Sequence, residues 1–299
     1  MWLILAFLSA LLLGFYDVAK KQALRGNSVP AVLLLNTLFS SLIFLPSIVS
    51  ALCGGGWFDG TPYQIPLGTA HDHLLVAAKA AIVLSSWAFG YYGIKNLPIT
   101  IVGPINATRP VMVLLGAFII FGERLNLLQW TGVALAVVSL FMLSRAGRRE
   151  GIDFTHNVWI VCVAAAALLG AASGLYDRYL MQHLQPLFVQ GWYNLYQLII
   201  MIVAMSAIRA FGRSRGTAFH WSWAIPMISV LLTAADMVYF IALSDADALI
   251  SVVSMIRRGS VVVSFTCGAL LFRERNLRAK AVDMVLIIIG MVFLYFGSR

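Results

Sequence analysis

Charge is what this sequence has least of. Asp, Glu, Lys and Arg make up only 11% of its 299 residues, against about 25% in a soluble globule. Apolar residues make up 61%, and the mean hydropathy is +0.89. Too few charges are present to solvate the surface of a water-soluble domain. Acidic residues are the scarcer kind, 12 against 21 Lys and Arg, which leaves a net charge of +9. In a soluble protein that excess would point to nucleic acid. Here the basic residues sit mostly in short gaps between apolar runs, so they read as determinants of membrane orientation, with no nucleic-acid partner.

Cysteine is sparse too. Cys53, Cys162 and Cys267 lie far apart, at or within apolar segments, with neither metal-ligand spacing nor a disulfide pattern. No phosphate-binding glycine loop is present, so ATP does not drive this chain directly. The five histidines, His71, His73, His156, His183 and His220, fall in loops or near segment ends. They form no zinc pair at helical spacing, and no nucleophile–base constellation is legible, which argues against a membrane-embedded enzyme and implies no cofactor. His71-Asp72-His73 lacks a third ligand within reach, so no metal site is expected. The last apolar segment, Val282–Phe296, carries no lysine of the kind a photoreceptor needs.

What the sequence does have is apolar length. Crossing a bilayer takes about 20 apolar residues. Runs of that order recur at Trp2–Leu24, Ala31–Leu52, Leu74–Ile94, Pro98–Phe121, Leu127–Leu143, Val158–Met181, Leu187–Ile208, Trp221–Leu243, Ala248–Phe272 and Ala279–Phe296. None shows the apolar–polar alternation of a barrel strand, so helices are the expected way to satisfy the backbone in lipid. Met1–Leu13 has the apolar character of a signal sequence but no basic start, and it reads as part of an uncleaved first helix. Cys53–His73 is rich in Gly, Pro, Asp and His and reads as an exposed loop. The expected fold is an all-α polytopic membrane protein of ten transmembrane helices.

The polar run Arg145–Asp153 lies near mid-chain and prompts a search for a repeat. A shift of 160 positions carries Ala6, Ala10, Gly14, Tyr16 and Asp17 onto Ala166, Gly170, Gly174, Tyr176 and Asp177. Both helices thus carry a small-residue stripe, which lets a neighbouring helix approach closely, followed by a Tyr-Asp pair. A shift of 148 carries Pro104, Ile105, Asn106 and Arg109 onto Val252, Val253, Ser254 and Arg257, and a shift of 151 carries Glu123-Arg124 onto Glu274-Arg275. Asn36 and Asn194 also occupy comparable places. Copies of five helices begin on opposite sides of the membrane, so the repeat must be inverted, a recurrent design of secondary transporters. The expected division is a first repeat over 1–144, a linker over 145–157 and a second repeat over 158–299.

These features resemble the drug/metabolite transporter superfamily, and within it the EamA-type permeases. The resemblance rests on the ten-helix count, the Phe-x-Glu-Arg ends at Phe121–Arg124 and Phe272–Arg275, Gly132 and Gly290, and Pro98 and Pro104. It implies alternating access around a central cavity, in the inner (plasma) membrane. The family takes amino acids, nucleotide sugars, sugar phosphates and lipid-linked groups, so the resemblance names no substrate. The implied activity is secondary-active export or permeation of a small polar, anionic metabolite, with a proton or counter-substrate as coupling partner. The rival reading is a flippase for a lipid-linked anion.

A charge at the bilayer centre costs about 2.5–3.5 kcal/mol on insertion scales, so each one needs a reason. The candidates are Asp17, Asp177, Asp236, Arg109, Arg257 and Arg258. Arg109 and Arg257, equivalent under the repeat, present planar guanidinium forks suited to carboxylate or phosphate. Internal pairing is the alternative, for example Asp236 with Arg257 or Arg258. Asp17 and Asp177 are candidates for ion coupling, but cations lie close in sequence. The favoured reading pairs Asp17 with Lys20 or Lys21, and Asp177 with Arg178. Gln190, Tyr193, Asn194 and Gln197 share one face of the seventh span, which should line the cavity or a helix seam. Asn36, Asn106, Trp87 and Tyr91 complete the expected substrate-binding set, with Tyr92 a further aromatic wall. Glu123 and Glu274 read as structural, accepting hydrogen bonds at the start of the following helix or pairing with Arg124 and Arg275.

Fourteen basic residues fall in the odd-numbered loops and four (Lys79, Arg124, Arg178 and Arg299) in the even-numbered loops and the C-terminus. The positive-inside rule then puts both termini outside, whereas analogy with the family points to termini inside.

Overall fold

The computed structural model describes residues 1–23, 27–96, 105, 109–145, 158–210, 219–260, 262–263, 267, 285–286, 288–290, 292–293 and 295–297. Among these the regular structure is helical, without strands. The helices are α1 (Trp2–Ala23), α2 (Val29–Leu52), α3 (Ala70–Asn96), α4 (Arg109–Phe121), α5 (Leu127–Arg145), α6 (Val158–His183), α7 (Pro186–Ala210), α8 (Ala224–Ser244) and α9 (Ile250–Arg258). A short apolar helix follows at Ile288–Gly297. Six helices are long and apolar enough to cross a membrane, namely Trp2–Lys20, Pro30–Leu52, Ala70–Gly90, Val158–His183, Pro186–Ala207 and Ala224–Ser244. The chain is therefore a polytopic membrane protein. Much of the expected spans Pro98–Phe121, Ala248–Phe272 and Ala279–Phe296 lies outside the described residues.

Local chemistry sets the helix ends. α2 begins with Pro30 in its first turn, where a missing N–H costs nothing because the helix has no acceptor for it. α3 begins at Ala70, one turn earlier than the apolar run suggests. Thr69 and Asp72 form a capping box: the Thr69 N–H and hydroxyl both donate to Asp72 Oδ2 at 2.8 Å, and the Asp72 N–H donates to Thr69 Oγ1 at 3.3 Å. The His-Asp-His segment is thus the opening turn of a helix rather than part of the exposed loop. His73 is anchored there. Its Nε2 lies 2.6 Å from the Leu67 carbonyl, its Nδ1 lies 2.8 Å from the Tyr196 hydroxyl, and its ring meets Trp192 edge-on at 4.5 Å.

The bundle is inside-out relative to a soluble one. Ile4, Phe118, Ile119, Ile120, Val161, Leu168 and Val203 face outward, while Ser9, Asn36, Lys79, Asp177, Arg178, Gln190 and Asn194 are buried. Burial of polar groups beneath an apolar exterior follows from a hydrocarbon solvent. α1 lies chiefly against α8, and α3 against α6. α2 packs on α7 and α8, α3 also on α7, α4 on α6, and α9 on α1 and α4.

The small-residue stripes lie in these contacts. A Cβ on Gly14 would meet Val263 and come within 2.9 Å of the Ser260 carbonyl oxygen, so α1 touches backbone there. Gly170 admits the Arg109 guanidinium, whose Cζ lies 2.9 Å from where a Cβ would stand. Gly174 is looser, with Val113 Cγ2 at 3.8 Å.

Candidate functional site

Each of the three acids expected inside the membrane, Asp17, Asp177 and Asp236, meets a cation. Asp17 Oδ1 accepts from Lys20 Nζ at 2.9 Å, one turn on along α1, as expected. Both side chains are about one-third exposed, at 35% and 37%. Lys20 also lies over the Tyr16 ring, 4.7 Å from its centroid. Asp236 Oδ1 accepts from Arg257 Nη2 at 2.7 Å, joining α8 to α9, the internal pairing weighed from the sequence.

Asp177 departs from expectation. Its partner is Lys79 of α3, not Arg178. Consecutive helix residues point about 100° apart, so Asp177 and Arg178 do not face each other. The Lys79 ammonium also lies over two rings, 4.6 Å from the Tyr193 centroid and 4.9 Å from that of Phe240. Lys79 is only 3% exposed, which corrects its assignment to a loop. It sits with Val76, Ala80, Val83 and Ser86 on the buried face of α3, a helical spacing that was readable in the sequence.

The two pairs are neighbours. Tyr239 of α8 carries the Arg257 guanidinium over its ring at 3.9 Å and faces Asp177 through its hydroxyl. Tyr193 of α7 receives a hydrogen bond on its hydroxyl from Gln197 Nε2 at 2.8 Å. Lys79, Asp177, Tyr193, Tyr239, Asp236 and Arg257 therefore form one polar cluster drawn from five helices. Tyr239 and Phe240 went unnoticed in the sequence because nothing distinguishes them from packing aromatics.

The other expected residues lie around this cluster. Gln190 and Asn194 are buried on α7, and the Asn194 carbonyl accepts from Ser41 Oγ of α2 at 2.8 Å. α7 thus lies against α2 at Asn194. Asn36 of α2 accepts from Ser229 Oγ of α8 at 3.0 Å. Trp87 packs, half-buried, against the main core. Arg109 stands apart from the cluster: its guanidinium lies flat on α6 at Gly170 and donates to the Ala166 carbonyl at 3.1 Å. Asn106 and the side chains of Tyr91 and Tyr92 lie outside the described residues, as does Glu274.

Two charges clamp the α8–α9 turn. Arg178 donates through Nη1 to the Leu243 carbonyl and to Asp245 O at 2.8 Å, and through Nη2 to Ala246 O at 3.1 Å. It thereby satisfies carbonyls that the end of α8 leaves unpaired. Glu123 caps the far side of the turn. Its Oε1 accepts from the Ile250 N–H at 2.7 Å, and its Oε2 accepts from the Ser251 N–H at 3.2 Å and from the Ser251 hydroxyl. Glu123 thus caps α9 rather than the helix next to it in sequence. α5 needs no such help, because Asn126 and Gln129 cap it reciprocally at 2.9 and 3.0 Å. Gly122, at φ 64°, turns the chain so that Glu123 leaves the end of α4.

Several buried polar atoms have no hydrogen-bond partner among the described residues, including Arg109 Nε, Arg257 Nε, Gln190 Oε1 and Asn194 Nδ2. Buried polar atoms are seldom left so, and these lie on or beside residues expected to meet a polar substrate.

Comparison with known proteins agrees with this architecture. A solved structure, described only as the crystal structure of a protein, superposes with a TM-score of 0.73 over 98% of each chain at 15% sequence identity, which is a likeness of fold. None of the curated proteins matches the sequence. Residues 1–145 match the EamA-like transporter family. Over that part the chain is similar to the EamA-like transporters, a family of transmembrane transport within the drug/metabolite transporter superfamily.

Proposed function

We propose that the protein is a secondary-active transporter of a small, polar, anionic metabolite, working by alternating access in the inner (plasma) membrane. Its moving parts are two inverted repeats, 1–144 and 158–299, joined by 145–157. The observation that carries this reading is the polar cluster inside a lipid-facing bundle, with Lys79 from the first half bound to Asp177 of the second. Buried ion pairs stabilise little against well-packed apolar residues, so their presence points to function.

The helix contacts support the inverted repeat. Exchange α1 with α6, α2 with α7, α3 with α8 and α4 with α9. The α1–α8 contact then becomes α6–α3, the α3–α7 contact becomes α8–α2, and the α4–α6 contact becomes α9–α1, while α2–α7 and α4–α9 map onto themselves. All of these contacts are present. Arg109 and Arg257, equivalent under that exchange, each keep a buried Nε–H without a partner among the described residues. This spare donor capacity suits an anion.

Reconstitution into liposomes tests the reading. Uptake of organic anions should be saturable and should exceed that of protein-free vesicles, and Arg257→Ala should reduce it. Permeation of none of a panel of carboxylates, sugar phosphates and neutral solutes, with the protein folded and inserted, would refute transport. Movement of a fluorescent lipid phosphate between leaflets instead would favour the flippase.

A further inference from the structure

The Lys79–Asp177 pair is unlike the other two. Lys20 and Asp17 lie on one helix at the edge of the bundle, and Arg257 and Asp236 lie on adjoining helices of one half. Lys79 and Asp177 join opposite halves, and their side chains are only 3% and 9% exposed. Lys79 has three N–H donors, yet among the described residues its hydrogen-bond acceptor is Asp177. Its remaining surroundings include the ring faces of Tyr193 and Phe240, which attract a cation without fixing its direction. A lysine held in this way leaves its site by breaking a single ion pair. An arginine in a bidentate fork would have to break more.

The surroundings of Asp177 decide its protonation if Lys79 turns away. Facing it are Lys79 from α3, Tyr193 from α7, Asp236 and Tyr239 from α8, and Arg257 from α9. Arg257 is engaged by Asp236, and Asp236 is itself a like charge. Without Lys79 the carboxylate is therefore buried, unpaired and repelled, a state that buried carboxyl groups leave by taking a proton.

We infer that Lys79 and Asp177 are an exchangeable pair. Lys79 takes the carboxylate of the transported anion, and Asp177, released, binds one proton, so that anion and proton travel together. This rests on the transporter reading above and names the substrate class and coupling ion for the same cluster. In the exchange the Lys79 Nζ–Asp177 contact breaks, a Lys79 Nζ–substrate carboxylate contact forms, and a proton from water on the open side adds to Asp177. The site's charge is then the same before and after loading. The ring faces of Tyr193 and Phe240 beside Lys79 favour an anion with an aromatic or planar body.

Benzoate is the probe. Its binding to the purified protein is followed calorimetrically near neutral pH in two buffers of different ionisation enthalpy, which gives the protons taken up. Wild type should bind benzoate saturably with uptake of one proton per anion, while benzylammonium should not bind. Asp177→Asn should keep benzoate binding, and Lys79→Met should lose it. The double variant Lys79→Met, Asp177→Leu removes both charges and should stay folded, because an apolar pair is a tolerated replacement for a buried ion pair. It should neither bind benzoate nor take up protons. No saturable benzoate binding by wild type, binding without proton uptake, or a double variant that binds as wild type does overturns the exchange. Saturable uptake of any panel solute into liposomes in those cases would leave the transporter reading intact. Failure of that uptake would fell both.

Discussion

Removing the Glu123 carboxylate should loosen α9 from its anchor, and the size of the loss can be worked from the bonds it makes. Glu123 accepts two backbone N–H bonds, from Ile250 at 2.7 Å and Ser251 at 3.2 Å, and a third from the Ser251 hydroxyl. A hydrogen bond to a charged group contributes about 1.5–3 kcal/mol, and losing a helix N-cap costs about 0.5–2 kcal/mol. The junction is only part-buried, so water replaces some of what is lost. Glu123→Ala should therefore cost about 2–3 kcal/mol in all. Glu123→Gln keeps one carbonyl oxygen for the Ile250 N–H and should cost roughly half as much, about 1–1.5 kcal/mol. Glu123→Asp keeps the charge but falls one methylene short, and should lie between the two. Thermal unfolding in detergent ranks the three variants. The Ala variant should melt roughly 5 °C below wild type, at about 2–4 °C per kcal/mol for a chain of this class. Because α9 carries Arg257 and Arg258, benzoate binding should weaken in the same order. Melting of the Ala variant with wild type, or a Gln variant as damaged as the Ala variant, would refute the capping argument.

Gly14→Ala should destabilise by about 1–3 kcal/mol, because its Cβ would press on the Ser260 backbone, whereas Gly174→Ala, with its nearest neighbour at 3.8 Å, should melt close to wild type; a reversed order in thermal unfolding would contradict the packing. Asp17→Asn should change stability by no more than about 1 kcal/mol, since the pair with Lys20 is about one-third exposed, and should leave the proton uptake that accompanies benzoate binding unchanged. A reporter fused after Arg299 tests orientation. Setting aside the buried Lys79 and Arg178 reduces the four basic residues of the even side to Arg124 and Arg299, against fourteen on the odd side. Alkaline phosphatase activity without cytoplasmic fluorescence is expected, and the opposite pattern would show that family analogy outweighs the charge count.

The sequence carried the coarse architecture for a physical reason: in lipid, apolar runs of about 20 residues without strand alternation satisfy their backbone as helices. The small-residue stripes were legible as contacts, and Asp17–Lys20 was readable because helix spacing brings residues three apart together. Gln190, Tyr193, Asn194 and Gln197 were legible as a buried face for the same reason. Asp236–Arg257 was open to a guess, since only a few charges lie inside the bundle. The partner of Asp177 was not readable: proximity in sequence favoured Arg178, but the helix turns consecutive side chains apart, and Lys79 lies 98 positions away.

The chain by itself determined that it spans a membrane as helices and which charges it must hide. Tertiary structure decided how those charges pair. It took Lys79 out of the loop inventory and set it between two rings against Asp177. It sent Arg178 to the end of α8 and Glu123 to the start of α9, and it laid Arg109 on the glycine gap of α6. Helix formation depends on residues a few positions apart. A buried charge is satisfied by whichever opposite group the packing of distant helices brings within reach, and that packing is a property of the whole bundle.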